Sequence, residues 1–209
     1  MSNLPAFSLH PCPASERAAA LHLITDSIAQ QRQTLSRSIL SSPVFLLPSL
    51  SLLSLVFYLN RTNIPTAVIL LSGVCIAILS AIRMEGAQYL EEAERMGREG
   101  IEVLNEEEEG TKTVVATWGE KVVGVAVVRQ GELWAWTVLL RYRRSGLGRD
   151  LLARVVKEAG EEGVKGVAKD NANSYRIKGL PGTFNAPFAS NEELARRVLM
   201  EVSKGGKKE

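Results

Sequence analysis

The residues best suited to chemistry lie between positions 141 and 152, where four arginines and two glycines separate two apolar segments. Residues 133–140, which precede them, have the composition of a β-strand, and residues 147–159, which follow, carry apolar side chains at helical spacing. Small residues at a strand-to-helix turn let backbone N–H groups point at one spot, and the positive end of the helix dipole adds to them. We therefore predict a phosphate or pyrophosphate site at this turn, with a phosphorylated cofactor as its ligand.

The segments around this turn predict the elements that must position it. Residues 113–118, 121–129 and 132–140 are rich in β-branched and aromatic side chains and are joined by two glycine-containing turns, a pattern typical of an antiparallel meander. The helix after the turn and a strand at 164–168 form a strand–helix–strand crossover, which places its two strands parallel. The predicted fold class is therefore α/β with a mixed sheet. A short strand at 7–9 and a helix from about 15 to 38 come first.

Two long apolar segments, residues 44–59 and 64–82, are separated by only four polar residues. A membrane span needs about 17–25 apolar residues, so the second segment qualifies comfortably and the first, with Pro48 in its first turns, lies at the lower limit. Both segments are apolar on every side, unlike a surface helix. We predict an inserted two-helix transmembrane hairpin at 41–83, with residues 1–40 supplying the first strand and helix and residues 84–209 the rest of the domain. Two core helices of a soluble protein are the alternative.

The charges that flank the hairpin predict its orientation. Arg32 and Arg37 precede it, and Arg83, Arg95 and Arg98 follow it. Basic residues favour the cytoplasmic side of a membrane, so both termini and the folded domain are expected in the cytosol.

The overall composition excludes several classes of function. The net charge of +2 gives no reason to expect nucleic-acid binding. The two cysteines and two histidines have no metal-ligand spacing, so no metal is predicted.

Three antiparallel strands, the loop Arg143-x-x-Gly146-x-Gly148 at the start of a helix, and a parallel strand together resemble the GNAT family of N-acetyltransferases. The resemblance covers residues 111–170, and residues 7–38 correspond to the family's first strand and helix. The loop has no Gly-Lys-Ser/Thr, unlike a P-loop, and an antiparallel meander does not precede a Rossmann loop. The hairpin lies between the family's first two strands, a layout similar to that of membrane-attached N-acetyltransferases.

The C-terminal part departs from the family pattern. The family ends in a helix with an asparagine and a tyrosine, followed by two strands with a Gly-Phe pair. Here Asn173 and Tyr175 are close together, and no Gly-Phe follows them. Residues 169–187 predict a loop, and the capping box that begins at Ser190 predicts a last helix from that point.

The resemblance implies that acetyl-CoA is the acyl donor and an amine is the acceptor, either a small amphipathic molecule or a protein, presented at a lipid surface. It implies that backbone N–H groups of the loop hold the pyrophosphate and that a backbone N–H at Val138 or Leu140 polarises the thioester carbonyl. Glu132 is the candidate base, with a solvated carboxylate at the edge of the strand as the plainer interpretation, and Tyr175 is the candidate acid that protonates the thiolate. The residues predicted to hold the cofactor from the loop itself are Arg143, Arg144, Ser145, Gly146, Leu147, Gly148 and Arg149.

Two further interpretations stay open. Trp134 and Trp136 alternate along one strand and are expected to share a face, either as core aromatics or as walls of the acceptor site. The alternative function is a non-catalytic membrane protein with a GNAT-like fold that binds acyl-CoA or a protein partner.

Overall fold

The computed structural model describes residues 7–104, 110–160, 163–169, 171–177 and 179–205. Five strands and six α-helices are present in these ranges, with a short 3-10 helix at Leu140–Tyr142. In chain order the elements are β1 (Phe7–Pro11), α1 (Arg17–Ser41), α2 (Pro43–Leu59), α3 (Ile64–Glu85), α4 (Ala87–Val103), β2 (Lys112–Trp118), β3 (Lys121–Arg129), β4 (Glu132–Val138), α5 (Leu147–Ala159), β5 (Gly166–Val167) and α6 (Gly182–Gly205).

The strands form one mixed sheet in the order β1-β2-β3-β4-β5. Neighbours are antiparallel except for β4 and β5, which are parallel. This arrangement confirms the predicted meander, the crossover through α5 and the contribution of the N-terminal strand.

Alternation along the strands gives the sheet two apolar faces. Val115 and Val125 pack against residues of α1 and α4, whereas Val114 and Ala126 pack against residues of α5. Successive side chains of a strand point to opposite faces, so each face buries its own set of β-branched residues. The helices therefore cover both faces and leave the end of β4 and the turn after it between them.

Helices α1 and α4 lie antiparallel and very close together. An added Cβ at Gly86 would lie 2.8 Å from Cγ of Arg32, and one at Gly100 would lie 2.6 Å from Cδ1 of Leu21. Glycines in the turn before α4 and within α4 thus let the two helices approach each other. The chain leaves the domain at the end of α1 and returns to it at the start of α4.

Between these two points, α2 and α3 expose their apolar side chains. No residue of α2 is buried, and only Ala67 and Ile82 are buried in α3. Soluble proteins rarely expose contiguous apolar surface of this extent. The predicted hairpin requires such an exposed apolar surface, and its place in a membrane stays a prediction.

One helix in the described part of the chain is long and apolar enough to cross a membrane. It begins at Ile64 and, counted together with α4 across the turn at Gly86, runs to Gly100. Helix α2 has 17 residues and reaches a comparable length only together with α1, from which it is bent by 61°. The second span and the orientation of the pair stay predictions.

The last helix begins earlier than the sequence predicted. Helix α6 starts at Gly182, so the loop predicted for residues 169–187 is too long and Ser190 lies inside the helix. Phe188 explains the difference, because its side chain is fully buried, with its ring centroid 5.7 Å from that of Tyr89. The free energy gained by burying an aromatic ring exceeds that gained by a serine at the N-cap of a helix.

Replacement of Phe188 by alanine is expected to lower the stability of the protein by about 3–5 kcal/mol, because it empties the space between α4 and α6. For a chain of this size the melting temperature should fall by about 6–20 °C. Met200→Ala on the same helix is the matched control, since Met200 is exposed and its loss should cost less than about 0.5 kcal/mol. Equal melting temperatures for the two variants would contradict the early start of α6.

Candidate active site

A cleft opens where β4 and β5 separate. Only two residue pairs join these strands, Glu132 with Gly166 and Leu133 with Val167. Beyond them the regular ladder stops, although the N–H of Ala172 still donates to the carbonyl of Trp134 at 2.9 Å. A cavity of about 550 Å³ lies beside this edge of β4. Its walls come from α1 (Ser27, Gln30, Gln31, Gln33, Thr34, Arg37), β4 and the turn after it (Leu133, Ala135, Trp136, Thr137, Val138, Leu140, Arg143, Arg144, Gly148), β5 and its loop (Val167, Asn171, Asn173) and α6 (Asn191, Leu194, Ala195).

Asparagine side chains replace the strand ladder in the loop after β5. The side-chain oxygen of Asn171 accepts hydrogen bonds from the backbone N–H of Asn173 (3.1 Å) and the hydroxyl of Ser174 (2.7 Å). The side-chain oxygen of Asn173 then accepts a bond from the backbone N–H of Trp136 at 2.7 Å. Asparagine commonly satisfies backbone donors in this way and ends regular pairing. The cleft is therefore a fixed feature of the sheet.

A buried ion cluster fastens this loop to α6. Glu192 is 8% exposed and forms ion pairs with Arg176 of the loop and Arg196 of its own helix. A carboxylate so buried needs such partners, because leaving it unpaired is costly. The pair with Arg176 holds the loop that forms one wall of the cleft.

Three hydrogen bonds hold the turn between β4 and α5. Nε of Arg143 donates to the carbonyl of Val138 at 2.9 Å. The hydroxyl of Ser145 donates to the carbonyl of Tyr142 at 2.7 Å, and the indole N–H of Trp136 donates to the carbonyl of Gly148 at 2.9 Å. The turn is thus fixed to the strand that lines the cleft.

The N-terminus of α5 presents free backbone donors at this turn. Gly146 precedes the helix with a φ of 89°, and it has no side chain to cap the first turn. The N–H of Arg149 already bonds to the carbonyl of Gly146 at 2.8 Å. The first helical N–H groups, those of Leu147 and Gly148, have no acceptor within the helix and suit an anion.

Residues 78–177 match the acetyltransferase (GNAT) family. The matched segment extends from the end of α3 through the turn to the loop after β5, so it contains most of the cleft. No match was found among curated proteins or among solved structures. The match supports membership of the GNAT family, and with it acyl transfer from acyl-CoA to an acceptor.

The structure brings five of the predicted cofactor residues to the cleft: Val138, Leu140, Arg143, Arg144 and Gly148. Ser145 and Gly146 form the exposed turn beside it. Leu147 is buried in the core, so only its backbone is available. The guanidinium of Arg149 lies 3.7 Å from the carboxylate of Glu201, away from the lining residues.

The two predicted catalytic side chains lie elsewhere. Glu132 is exposed at the opposite end of β4 from the turn at residues 143–148. The ring of Tyr175 packs edge-on against Tyr89, at 5.9 Å between centroids. Neither residue is among those that line the cleft, and their roles stay predictions.

One prediction about β4 is wrong. Trp134 and Trp136 do not share a face, because Trp134 packs against the side of the sheet covered by α1, and Trp136 packs against the side covered by α5. A β-bulge between Val127 and Val128 of β3 shifts the register beside Trp134. A bulge of this kind places two consecutive side chains on one side and reverses the alternation. Trp136 alone of the two lines the cleft.

The charge of the cleft is positive. Among the described lining residues, the charged ones are Arg37, Arg143 and Arg144, and the other polar ones are neutral amides and hydroxyls. Two buried lining atoms, Oε1 of Gln31 and Oγ1 of Thr137, have no hydrogen-bond partner. Buried polar atoms are normally satisfied, so these two oxygens are open to a hydrogen bond from within the cleft.

Sequence reasoning missed the contribution of α1. Ser27, Gln31 and Thr34 recur at helical spacing and line the cleft. In the sequence they resemble the solvated face of an amphipathic helix. The buried side chain of Gln31, whose Nε2 donates to the carbonyl of Ala172 at 2.6 Å, shows that this face belongs to the site.

Proposed function

We propose that this chain is a membrane-tethered N-acetyltransferase that transfers the acetyl group of acetyl-CoA to an amine. The observation that carries the proposal is the single cleft that joins the Arg143–Gly148 turn, the edge of β4 and the polar face of α1. The turn would hold the pyrophosphate through the N–H groups of Leu147 and Gly148, with Arg143 and Arg144 beside it. The orphaned buried oxygens of Gln31 and Thr137 lie along the same cleft, where an acceptor would bind.

The backbone of β4 supplies a donor for the thioester carbonyl. The N–H of Leu139 bonds to the carbonyl of Val123 on β3 at 2.9 Å, whereas the N–H of Trp136 faces Asn173 on the other side. Backbone groups alternate along a strand, so the N–H of Val138 points away from β3 towards the cleft. A donor in this position would stabilise the oxyanion that forms when the amine attacks.

The acceptor amine must be neutral when it attacks the carbonyl carbon. No carboxylate or imidazole is present among the described lining residues. We infer that the ammonium proton passes to solvent water at the open cleft. The positive charge of the lining arginines assists this loss, because nearby cations disfavour a protonated amine.

The exposed apolar surface of α2 and α3 supports tethering to a membrane. In this proposal both helices span the bilayer, and the acetyltransferase domain and both termini lie in the cytosol. Tethering raises the local concentration of lipid-associated acceptors, which favours an amphipathic amine over a freely soluble one.

A second candidate is a non-catalytic protein that binds acyl-CoA or a protein partner. The absence of a carboxylate or imidazole from the described lining favours it. It differs from the first candidate in one measurable respect, since it binds the thioester without consuming it.

The test is the melting temperature of the detergent-purified chain with and without acetyl-CoA, followed by release of free CoA with a panel of amines. At a hundredfold excess over its dissociation constant a ligand stabilises the folded state by about 2.7 kcal/mol, or about 5–11 °C for a chain of this length. Stabilisation with CoA release supports the enzyme. Stabilisation without release, for every amine, supports the binding protein, and no stabilisation refutes both.

Glu132→Gln and Tyr175→Phe are each expected to lower kcat by less than about tenfold, whereas loss of a positioned acid or base costs about 10²–10⁴. The reason is that neither residue lines the cleft. The measurement is kcat for CoA release from about pH 6 to about pH 9. Catalytic acids and bases have pKa values near the operating pH, so their loss should change this profile. A hundredfold loss in either variant, with acetyl-CoA stabilisation intact, would restore the corresponding catalytic role.

A further inference from the structure

A second cavity, of about 480 Å³, is lined by α1 and α4. Its wall on α1 carries two arginines, an amide, a hydroxyl and a methyl group, and its wall on α4 carries a leucine. The residues are Ala29, Arg32, Gln33, Ser36, Arg37 and Leu90. Those of α1 recur at intervals of three and four positions, which places them on one continuous face of the helix.

The charge of this α1–α4 cavity is positive, since Arg32 and Arg37 are the charged residues among its described lining. No described carboxylate forms an ion pair with either of them, in contrast to Arg149 and Arg154. The hydroxyl of Ser36 already donates to the carbonyl of Arg32 at 3.0 Å. Two unpaired arginines that line one cavity favour an anion between them, and their planar donors match phosphate groups especially well.

The stem of Arg32 relates the cavity to the apolar hairpin. An added Cβ at Gly86 would lie 2.8 Å from Cγ of Arg32, so this side chain packs against the turn after α3. The apolar part of α3 ends at Ile82, four residues before that turn, or about 6 Å along a helix axis. The polar headgroup layer of a bilayer is about 5–8 Å thick on each side. In the proposed membrane, the cavity therefore lies at the level of the lipid headgroups.

Arg37 extends the cavity towards the lipid. It follows Arg32 by five residues, which places it about 7.5 Å nearer to α2 along the axis of α1. Leu40 and Val44 come next and are exposed. A ligand whose anionic group lies between the two arginines would thus have an apolar protein surface beside it. A phospholipid has the matching arrangement of a phosphate group and apolar chains.

We propose that the α1–α4 cavity binds the phosphate group of an anionic phospholipid at the base of the hairpin. Arg32 and Arg37 pair with the phosphate, the amide of Gln33 donates to it, and the acyl chains lie along the exposed residues of α2. Basic pockets beside membrane-spanning helices recognise anionic headgroups in this way. Zwitterionic phospholipids are disfavoured, because their ammonium group would meet two arginines and no carboxylate of the described lining.

This inference rests on the proposed membrane attachment and is independent of acetyl transfer. Gln33 and Arg37 also line the cleft, whereas Arg32 lines the α1–α4 cavity alone. Arg32 is therefore the residue whose replacement tests the lipid site without touching the cleft.

The experiment follows the melting temperature of the full chain, purified in detergent, during titration with dioctanoyl phosphatidylglycerol or dioctanoyl phosphatidylcholine. We expect saturable stabilisation by phosphatidylglycerol and much weaker stabilisation by phosphatidylcholine. In Arg32→Gln the affinity for phosphatidylglycerol should fall by about 10- to 100-fold, as for loss of a charged hydrogen bond. The comparison of the two lipids in the unmodified chain needs no variant, so it tests the inference even if Arg32→Gln does not fold.

Arg83→Gln is the matched control, since Arg83 is exposed in the last turn of α3 and does not line the cavity. It removes the same charge near the same surface and should cost about fivefold in affinity or less, as for one basic residue beside an anionic membrane. Equal losses in the two variants would show that binding depends on diffuse charge and would overturn the inference. Equal binding of the two lipids to the unmodified chain would do the same.

Inorganic phosphate distinguishes the source of the phosphate group. Stabilisation by phosphatidylglycerol but not by inorganic phosphate at equal concentration assigns the membrane lipid. Equal stabilisation by both, lost in Arg32→Gln, overturns the lipid and assigns a soluble phosphate.

The proposed attachment is measured separately, by flotation of the chain with vesicles of phosphatidylcholine alone, and the proposed acetyl transfer by release of CoA. A chain that does not float lacks the attachment on which the inference rests. A chain that floats but binds phosphatidylglycerol no better than phosphatidylcholine overturns this inference alone.

Discussion

Replacement of Gly148 by glutamate is expected to abolish stabilisation by acetyl-CoA and, with it, acetyl transfer. An added Cβ at this position would lie 3.0 Å from Cζ2 and 3.3 Å from Nε1 of Trp136. The indole would have to move and lose its hydrogen bond to the carbonyl of Gly148. The carboxylate would also enter a cleft proposed to hold a pyrophosphate, so steric and electrostatic effects act in the same direction.

The parent should gain about 2.7 kcal/mol at a hundredfold excess of acetyl-CoA, and the variant should gain nothing. Gly148→Ala separates the two effects, because it adds the methyl group without the charge. Gly182→Glu is the matched control, since nothing lies within 4 Å of an added Cβ there and the residue begins α6 outside the cleft. Equal stabilisation of the parent and Gly148→Glu would refute the phosphate-binding role of the turn.

Replacement of Val138 by proline is expected to lower kcat by about 10²–10³ while leaving acetyl-CoA binding in place, as for loss of one oxyanion donor. Proline removes the backbone N–H that is proposed to polarise the thioester. The ladder to β3 does not use this N–H, because Val123 receives its bond from Leu139. Proline is tolerated in a strand where the missing donor faces away from the neighbouring strand.

Leu140→Pro distinguishes the two candidate donors. Leu140 is the first residue of the 3-10 helix, a position where proline fits the backbone. Single-turnover rates at saturating acetyl-CoA measure the acetyl-transfer step, and the melting temperature shows whether each variant is folded. A loss confined to Leu140→Pro would move the donor to Leu140, and full activity in both variants would exclude a backbone donor at either position.

Much of the fold could be predicted because its signals are local. The β-branched segments of β2 and β3, the turns at Gly119 and Gly131, and the glycines before α5 specify their own conformations. The turn before α5 belongs to this group, since two small residues between a strand and a helix suffice to predict a phosphate site there.

The acceptor side of the site could not be predicted, because it depends on contacts between distant residues. Gln31 reaches Ala172 across 141 positions of the sequence. The bulge beside Trp134 leaves no signature in the alternation of β4, and it decides which tryptophan lines the cleft. The start of α6 likewise follows from Phe188, whose partner Tyr89 lies on another helix.

The close antiparallel packing of α1 and α4 makes the α2–α3 hairpin a separable module of the fold. Because the chain departs at the end of one helix and returns at the start of its neighbour, the whole hairpin amounts to an enlarged loop between two adjacent helix ends. No strand of the sheet passes through it, and the described hydrogen bonds of the cleft involve none of its residues. A short linker in its place would remove the exposed apolar surface of the hairpin and retain the sheet, α1 and its cleft-lining residues.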